Sequence, residues 1–176
     1  METLIRIPTL ETERLVLRAP QASDLDAYAK FCASPRSVGV GGPYDRDQAF
    51  TRLSALLGHW YLRGYGRWMV TDLATRAPMG VVGLMYPESW PAPEIAWSLF
   101  DAAEGKGIAF EAAMAARDFA YRVLRWDIVI SCVVDGNDRS NALAQRMGCT
   151  EDRVFQHPQF GPLVVWRHRP ANEVLE

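Results

Sequence analysis

The chain has 176 residues, of which 49% are hydrophobic, 23% charged and 11% aromatic, with 19 basic against 21 acidic side chains. That length and composition fit a single globular domain over residues 1–176, able to bury roughly 70% of its unfolded surface, and exclude disorder and collagen-like repeats. A net charge of −2 excludes a protein whose main task is coating nucleic acid, because that affinity comes from neutralising phosphates with Lys and Arg. Cys32, Cys132 and Cys149 are far apart and form no Cys-x-x-Cys pair, so a reducing compartment and no cysteine-based metal site are expected. Met1 to Pro8 carries Glu2 and Arg6 and lacks the apolar core of a signal peptide, and no later apolar run approaches the ~18 residues that span a bilayer. The expected setting is cytoplasmic, with no membrane and no nucleic-acid partner.

In chain order, the alternation in Arg14-Leu15-Val16-Leu17-Arg18 predicts a half-buried strand. Ser23 offers an N-cap for a helix that Asp24 and Asp26 begin and Ser34-Pro35 ends. The glycine-rich Val38–Gly42 stretch reads as a mobile loop, and the stripe Ala49, Phe50, Leu53, Leu56, Leu57, Trp60 and Tyr61 as a helix over 46–62. An antiparallel hairpin follows, from Trp68-Met69-Val70 through a turn at 73–77 to a strand over 79–86. After Pro91-Ala92-Pro93, residues 94–100 alternate Ile95, Trp97 and Leu99 with Glu94, Ala96 and Ser98, which predicts a strand with two different faces. A loop over 101–106 leads to a helix over 107–124, a strand over 128–134, a short helix over 140–147, and a last pair of strands near Val154 and 163–167. Mixed α and β elements with a long helix between two strands predict an α+β layered fold around one sheet.

Two segments carry chemistry. Glu104-Gly105-Lys106-Gly107-Ile108-Ala109 joins a strand to a helix, where unpaired N–H groups and the positive end of the helix dipole suit a pyrophosphate. Phe100 stands where a Walker loop needs glycine, and Phe110 where a dinucleotide fingerprint needs its third glycine, so neither motif is present. The same glycines also read as a tight turn and nothing more. The second segment, Asp135 to Cys149, places Ser140, Leu143, Ala144 and Met147 on one helix face, with Gly148 at the end. Taken singly, Asn137 and Asp138 read as turn formers, Ser140 as a first-turn hydroxyl and Arg146 as a solvated charge.

Together, a Gly-x-Gly-x-Ala turn opening a long helix and a later Asn-x-x-Ser-x-x-Leu-x-x-Arg-x-Gly resemble the GNAT superfamily of acyl-CoA-dependent N-acetyltransferases, and more narrowly its RimJ/RimL type. The opening Leu10 to Arg18, the Gly41-Gly42-Pro43 loop, Gly80-x-x-Gly83 and the closing Trp166-Arg167-His168 fit that subgroup. The resemblance implies a GNAT-like fold: a mostly antiparallel sheet of about seven strands, helices on both faces, and splayed fourth and fifth strands with acetyl-CoA between them.

It also implies that backbone groups near Leu99 and Phe100 hold the pantetheine arm, that amides of Gly105, Lys106, Gly107, Ile108 and Ala109 hold the pyrophosphate, that Asn137 hydrogen-bonds the cofactor, and that Ser140 protonates the leaving thiolate. Ala102 occupies a place where the wider superfamily often has Gln or Arg; Lys106 and Arg139 either compensate or are solvated. Glu94 is the candidate general base, with solvation at a strand edge as its alternative and Tyr86 or water as substitutes. His59, His157 and His168 gather around no motif, so no metal and no catalytic histidine are expected. The expected reaction is direct acetyl transfer to a primary amine, either a protein N-terminus or a small molecule such as an amino acid, polyamine or antibiotic. The alternatives are a non-catalytic acyl-CoA-binding or sensing module, and a homodimer with Trp90 and Trp166 as exposed interface aromatics. The segments 35–44 and 88–93 are expected to wall the acceptor site.

Overall fold

The computed structural model describes residues 5–175; Met1 to Leu4 of the charged amino-terminal stretch, Glu2 included, lie outside the described residues. One sheet of eight strands runs in the order β1-β2-β3-β4-β5-β6-β8-β7. The strands are β1 (Leu10–Glu11), β2 (Leu15–Arg18), β3 (Arg67–Asp72), β4 (Pro78–Met85), β5 (Glu94–Leu99), β6 (Ile130–Val134), β7 (Thr150–His157) and β8 (Gly161–Arg167). The expected count of about seven omits β1, whose two residues are too short to show alternation. Every neighbouring pair is antiparallel except β5 with β6, whose chain direction is restored by a crossover through a helix.

The helices are α1 (Leu25–Ala33), α2 (Arg46–Arg63), α3 (Ile108–Arg122), α4 (Asp138–Arg146) and a last turn, α5 (Ala171–Val174). They cover both faces. On one, Ala112, Ala116, Phe119 and Ala120 of α3 pack on Leu15, Leu17, Val70, Val82, Leu84 and Ile95. On the other, Tyr28, Phe31 and Cys32 of α1 and Ala49, Leu53 and Leu56 of α2 pack on Met69 and Val81. The α2 helix was legible and an Asp45–Gln48 capping box starts it, but the buried stripe is narrower than expected: Ala49, Leu53, Leu56 and Trp60 are buried, while Phe50, Leu57 and Tyr61 are exposed.

Two local expectations are corrected. Ser23 does not cap α1: residues 22–24 form a 3-10 turn, and Asp24 leaves the helix surface to make a buried bidentate pair with Arg18, at 2.8 and 2.7 Å. The stretch expected as a mobile loop is a 3-10 turn over Pro35–Val40, pinned by buried Ser37, whose Oγ lies 2.7 Å from the Cys32 carbonyl.

The feature that positions the site is the junction of β5 and β6. Their only ladder pair is Glu94 with Ile130, and beyond it the strands diverge. Ser131 replaces the lost ladder at the point of opening: its buried Oγ donates to Ile95 O at 2.6 Å and lies 3.0 Å from His168 Nε2. A hydroxyl has one proton, and Ile95 O takes it, so His168 must donate through Nε2 as a neutral ring. Burial lowers the His168 pKa to about 3, which keeps that ring neutral. Ser131→Ala leaves a buried carbonyl and a buried ring N–H without this partner, and the expected loss is about 2 kcal/mol of stability by urea denaturation; an unchanged midpoint contradicts the latch.

Candidate active site

The opened strands border one cavity of about 870 Å³, large enough for an extended cofactor and a second substrate. Register sorts its walls by face. Glu94, Ala96 and Ser98 share the α1/α2 face with Met85, Gly83 and Val81, while Ile95, Trp97 and Leu99 face α3. The cavity passes between these faces, because β6 no longer closes the edge of β5.

On the α3 side, Gly105, Gly107, Ile108 and Ala109 line the cavity. Gly107 is the N-cap of α3 in the left-handed conformation, φ 75°, which a side chain would strain, so bare backbone is presented there. The amino-terminal motif explains how this turn is held. Glu111, in the first turn of α3, accepts from Thr12 Oγ1 at 2.6 Å, Arg14 N at 2.9 Å and Arg14 Nε at 2.7 Å, and Arg14 Nη1 donates to Lys106 O at 3.0 Å. Glu104 is gripped by Arg36 and Arg139, so Arg139 is ion-paired and not merely solvated. Lys106 turns outward and donates through Nζ to Ala102 O at 2.7 Å, away from the cavity lining. Phe100 also departs from expectation. It lies on the opposite face from Leu99, its ring packs 5.6 Å from that of Phe31, and its N–H is committed to Met79 O at 2.8 Å. Leu99 does line the cavity.

Asn137 and Ser140 both line the same space. Asn137 caps α4, its Oδ1 accepting from Ser140 N at 3.2 Å, which leaves its amide nitrogen as a donor. Ser140 Oγ accepts from Trp97 Nε1 at 3.2 Å, so its own proton remains available. Arg146 lies over the Phe110 ring at 5.7 Å and is therefore more than a free charge.

Glu94 is neither solvated nor at an open edge. It is 3% exposed and its Oε2 accepts the Cys132 N–H at 2.7 Å, the donor that strand divergence would otherwise orphan. Burial raises its pKa to about 7, against the Cys132 amide, the nearby Trp90 indole and the Arg67 charge, which favour the anion. Trp90 Nε1 is itself buried without a completed hydrogen bond. A carboxyl poised near neutrality and facing a cavity can take a proton from an ammonium group. Tyr86 does not line the cavity; its backbone N–H is tied to His59 Nε2 at 2.9 Å.

Among the lining residues that the sequence missed are His157, Arg52 and Arg67. His157 belongs to the cavity after all, beside Trp90 and Phe160. Both its nitrogens are used: Nδ1 accepts from the N–H groups of Gln159 and Phe160, so Nε2 carries the proton toward Ser89 Oγ at 3.0 Å. That ring is not a free base. Arg52 and Arg67 complete the α1/α2 side, with Val40, Ser89 and Trp90 contributed by the two expected wall segments. Trp90 is half-buried and Trp166 fully buried, with Nε1 donating to Asn141 Oδ1 at 2.9 Å, so these aromatics do not form an exposed interface. Among the described residues no cluster of three or more His, Cys, Asp and Glu is arranged to hold a metal, and no helix is long and apolar enough to cross a membrane.

The raised Glu94 pKa has a thermodynamic consequence. The folded state favours the neutral acid, so its contribution is complete below 4.5, the ordinary value, and is lost as pH rises through about 7. The interval corresponds to roughly 3 kcal/mol. Glu94→Gln keeps the acceptor for Cys132 and cannot ionise, so the variant should gain stability relative to wild type from pH 5 to 8.5 by up to that amount in chemical denaturation. Parallel pH curves for the two proteins contradict a buried, perturbed carboxyl.

Comparison with known proteins agrees with this geometry. The Acetyltransferase (GNAT) domain family matches residues 14–150. An acetyltransferase from Agrobacterium tumefaciens str. C58 is 37% identical over 96% of this chain and 98% of its own, with a TM-score of 0.85. Two more distant structures share the fold. A candidate ribosomal-protein-serine acetyltransferase from Vibrio cholerae is 18% identical over 92% of this chain and 97% of its own, TM-score 0.78. RimL, a ribosomal L7/L12 alpha-N-protein acetyltransferase solved with coenzyme A, is 16% identical over 92% and 98%, TM-score 0.74. With its opened sheet, glycine-capped helix and buried carboxyl, the chain belongs to the GNAT acetyltransferase family and transfers acetyl groups from acetyl-CoA.

Proposed function

We propose that the acceptor is a primary amine and that transfer is direct, within a ternary complex. The observation that carries this reading is the meeting, in one cavity, of a buried carboxyl with a pKa of about 7 and a hydroxyl with a free proton. The edge of β5 at Leu99 receives the pantetheine arm; the N–H groups from Gly105 to Ala109 receive the pyrophosphate through backbone alone, Lys106 contributing no side chain; and the Asn137 amide donates to the cofactor. Glu94 takes the proton of the amine. The nitrogen then attacks the thioester carbonyl, the new C–N bond forms and the C–S bond breaks; Ser140 passes its proton to the departing sulfur, and the proton that the nitrogen sheds on becoming an amide returns, through solvent, to the serine.

Cysteine chemistry supports direct transfer. Cys132 is the thiol that lines the cavity, and burial together with Glu94 pushes its pKa up, which keeps it protonated and a poor nucleophile. All three cysteines are free thiols, which fits a reducing, cytoplasmic setting. Solved relatives named as ribosomal-protein acetyltransferases favour a protein N-terminus as the acceptor, while a small amine fits the same cavity.

Ser140→Ala tests the assignment. A thiolate with a pKa near 8.5 needs little help, so the expected loss is about tenfold to 100-fold in kcat, with acetyl-CoA affinity retained in calorimetry. Free-thiol release at saturating acetyl-CoA reads the rate; wild-type turnover across pH 6 to 9 removes Ser140 from the mechanism.

A further inference from the structure

The acceptor side of the cavity holds two positive charges, and among the described residues only the partly neutral Glu94 carboxyl stands near to offset them. On the cofactor side, Arg36 and Arg139 share Glu104. On the α1/α2 side, Arg52 and Arg67 line the cavity, and among the described residues neither forms an ion pair. Arg52 is held from behind: its guanidinium lies 4.3 Å over the Tyr44 ring and Nη2 reaches Val40 O at 3.3 Å, yet Nε is buried with no acceptor. Arg67 pairs with Gly83 through its backbone and its carbonyl also takes Trp60 Nε1 at 3.0 Å, but its guanidinium makes no ion pair among the described residues; burial lowers its pKa, against the nearby Glu94 carboxyl. A buried cationic donor without a partner, as Arg52 Nε is, is costly and points to an acceptor supplied from outside.

The sheet register aims this charge at the reacting centre. Arg67 pairs with Gly83, which pairs with Ala96, and all three share the face of Glu94. Gly83 and Ala96, the residues between Arg67 and Glu94 on this face, carry little or no side chain and leave the floor between them low. Arg67 lies two strands across and two residues along from Glu94, about 12 Å between Cα atoms at ordinary sheet spacing. Both residues line the same cavity, one at each end of that floor, and their charges act on each other, so one small acceptor can meet both.

We propose that the acceptor carries an anionic oxygen group, a carboxylate above all, a few bonds from its amine, with the amine at Glu94 and the anion at Arg67 and Arg52. This rests on the acetyl-transfer reading above and narrows it. Guanidinium groups recognise carboxylates through two parallel hydrogen bonds, and the buried Arg52 Nε gains the acceptor it lacks. Polycations are disfavoured at the same place, since a polyamine or an aminoglycoside-type antibiotic would set further positive charge against two arginines. The carboxylate belongs either to a free α-amino acid, two bonds from the amine, or, at longer reach, to an acidic residue that follows a peptide amino terminus.

The test is acetyl-CoA turnover, read as thiol release and by mass of the product, with matched acceptors: free amino acids against their carboxamides, peptides beginning Ser-Glu against Ser-Gln, and spermidine. In at least one pair the carboxylate member should exceed its neutral partner by about tenfold or more in kcat/KM. Arg67→Gln should collapse that preference through acceptor KM, and Arg67→Lys should restore part of it; thermal melting confirms that both variants are folded. The amino-acid and peptide arms identify the source of the anion. Preference for the neutral members or for spermidine overturns the proposal and leaves amine acetylation standing. Calorimetric binding of acetyl-CoA without turnover of any acceptor also overturns it, and absence of acetyl-CoA binding overturns the underlying reading instead.

Discussion

Everything at this site depends on one interruption of backbone hydrogen bonding, where β5 and β6 part after a single ladder pair. A parallel junction inside an otherwise antiparallel sheet is the place where two strands can separate without unravelling a hairpin, because the crossover through α3 connects them at a distance. Separation leaves donors and acceptors behind, and the protein answers each with a side chain. Ser131, backed by His168, serves the Ile95 carbonyl, and Glu94 serves the Cys132 N–H. The carboxyl that satisfies the opened edge is thereby fixed in the cavity that the opening creates. Structural repair sets the carboxyl where the proposed proton transfer needs it.

This coupling explains why the carboxyl is buried and still faces the cavity. A Glu on a continuous strand would be solvated or paired with a cation and would titrate well below neutrality. Here burial outweighs one amide hydrogen bond and the Arg67 charge, so the group sits near 7 and costs stability when ionised. The trade is a familiar one: a site held away from its most stable protonation state carries its cost in the fold. The opposite end of the cavity follows a different rule. Gly107 and the turn before α3 offer bare backbone, and Thr12, Arg14 and Glu111 hold that turn so that its N–H groups stay aligned.

What could be read in the sequence was what is local. The α2 helix with Ala49, Leu53, Leu56 and Trp60 buried, the two-faced strand that ends at Leu99, the turn before α3 and the Asn137-to-Ser140 spacing are each set by residues within one or two turns of one another, and each appears in the structure. Three-dimensional consequences were harder. Glu94 read equally well as solvated, because its burial comes from β6, more than thirty residues later. Phe100 was grouped with Leu99 although adjacent residues of an extended chain face opposite ways. Arg67, Arg52 and His157 come from β3, α2 and β7, and nothing in their local sequence says that a gap between two other strands exposes them to one cavity. Asp24, legible as a helix-start charge, was captured instead by Arg18.

The most direct measurement is the pH dependence of kcat/KM for acetyl transfer in wild type and Glu94→Gln, with one acceptor whose amine titrates well above neutrality. Wild type should show a rising limb centred near pH 7 in addition to the limb of the amine itself, and the variant should lose the lower limb together with about 100-fold or more of its activity. A variant that keeps wild-type activity and the same profile would contradict the claim that the residue closing the opened strand is also the group that takes the proton.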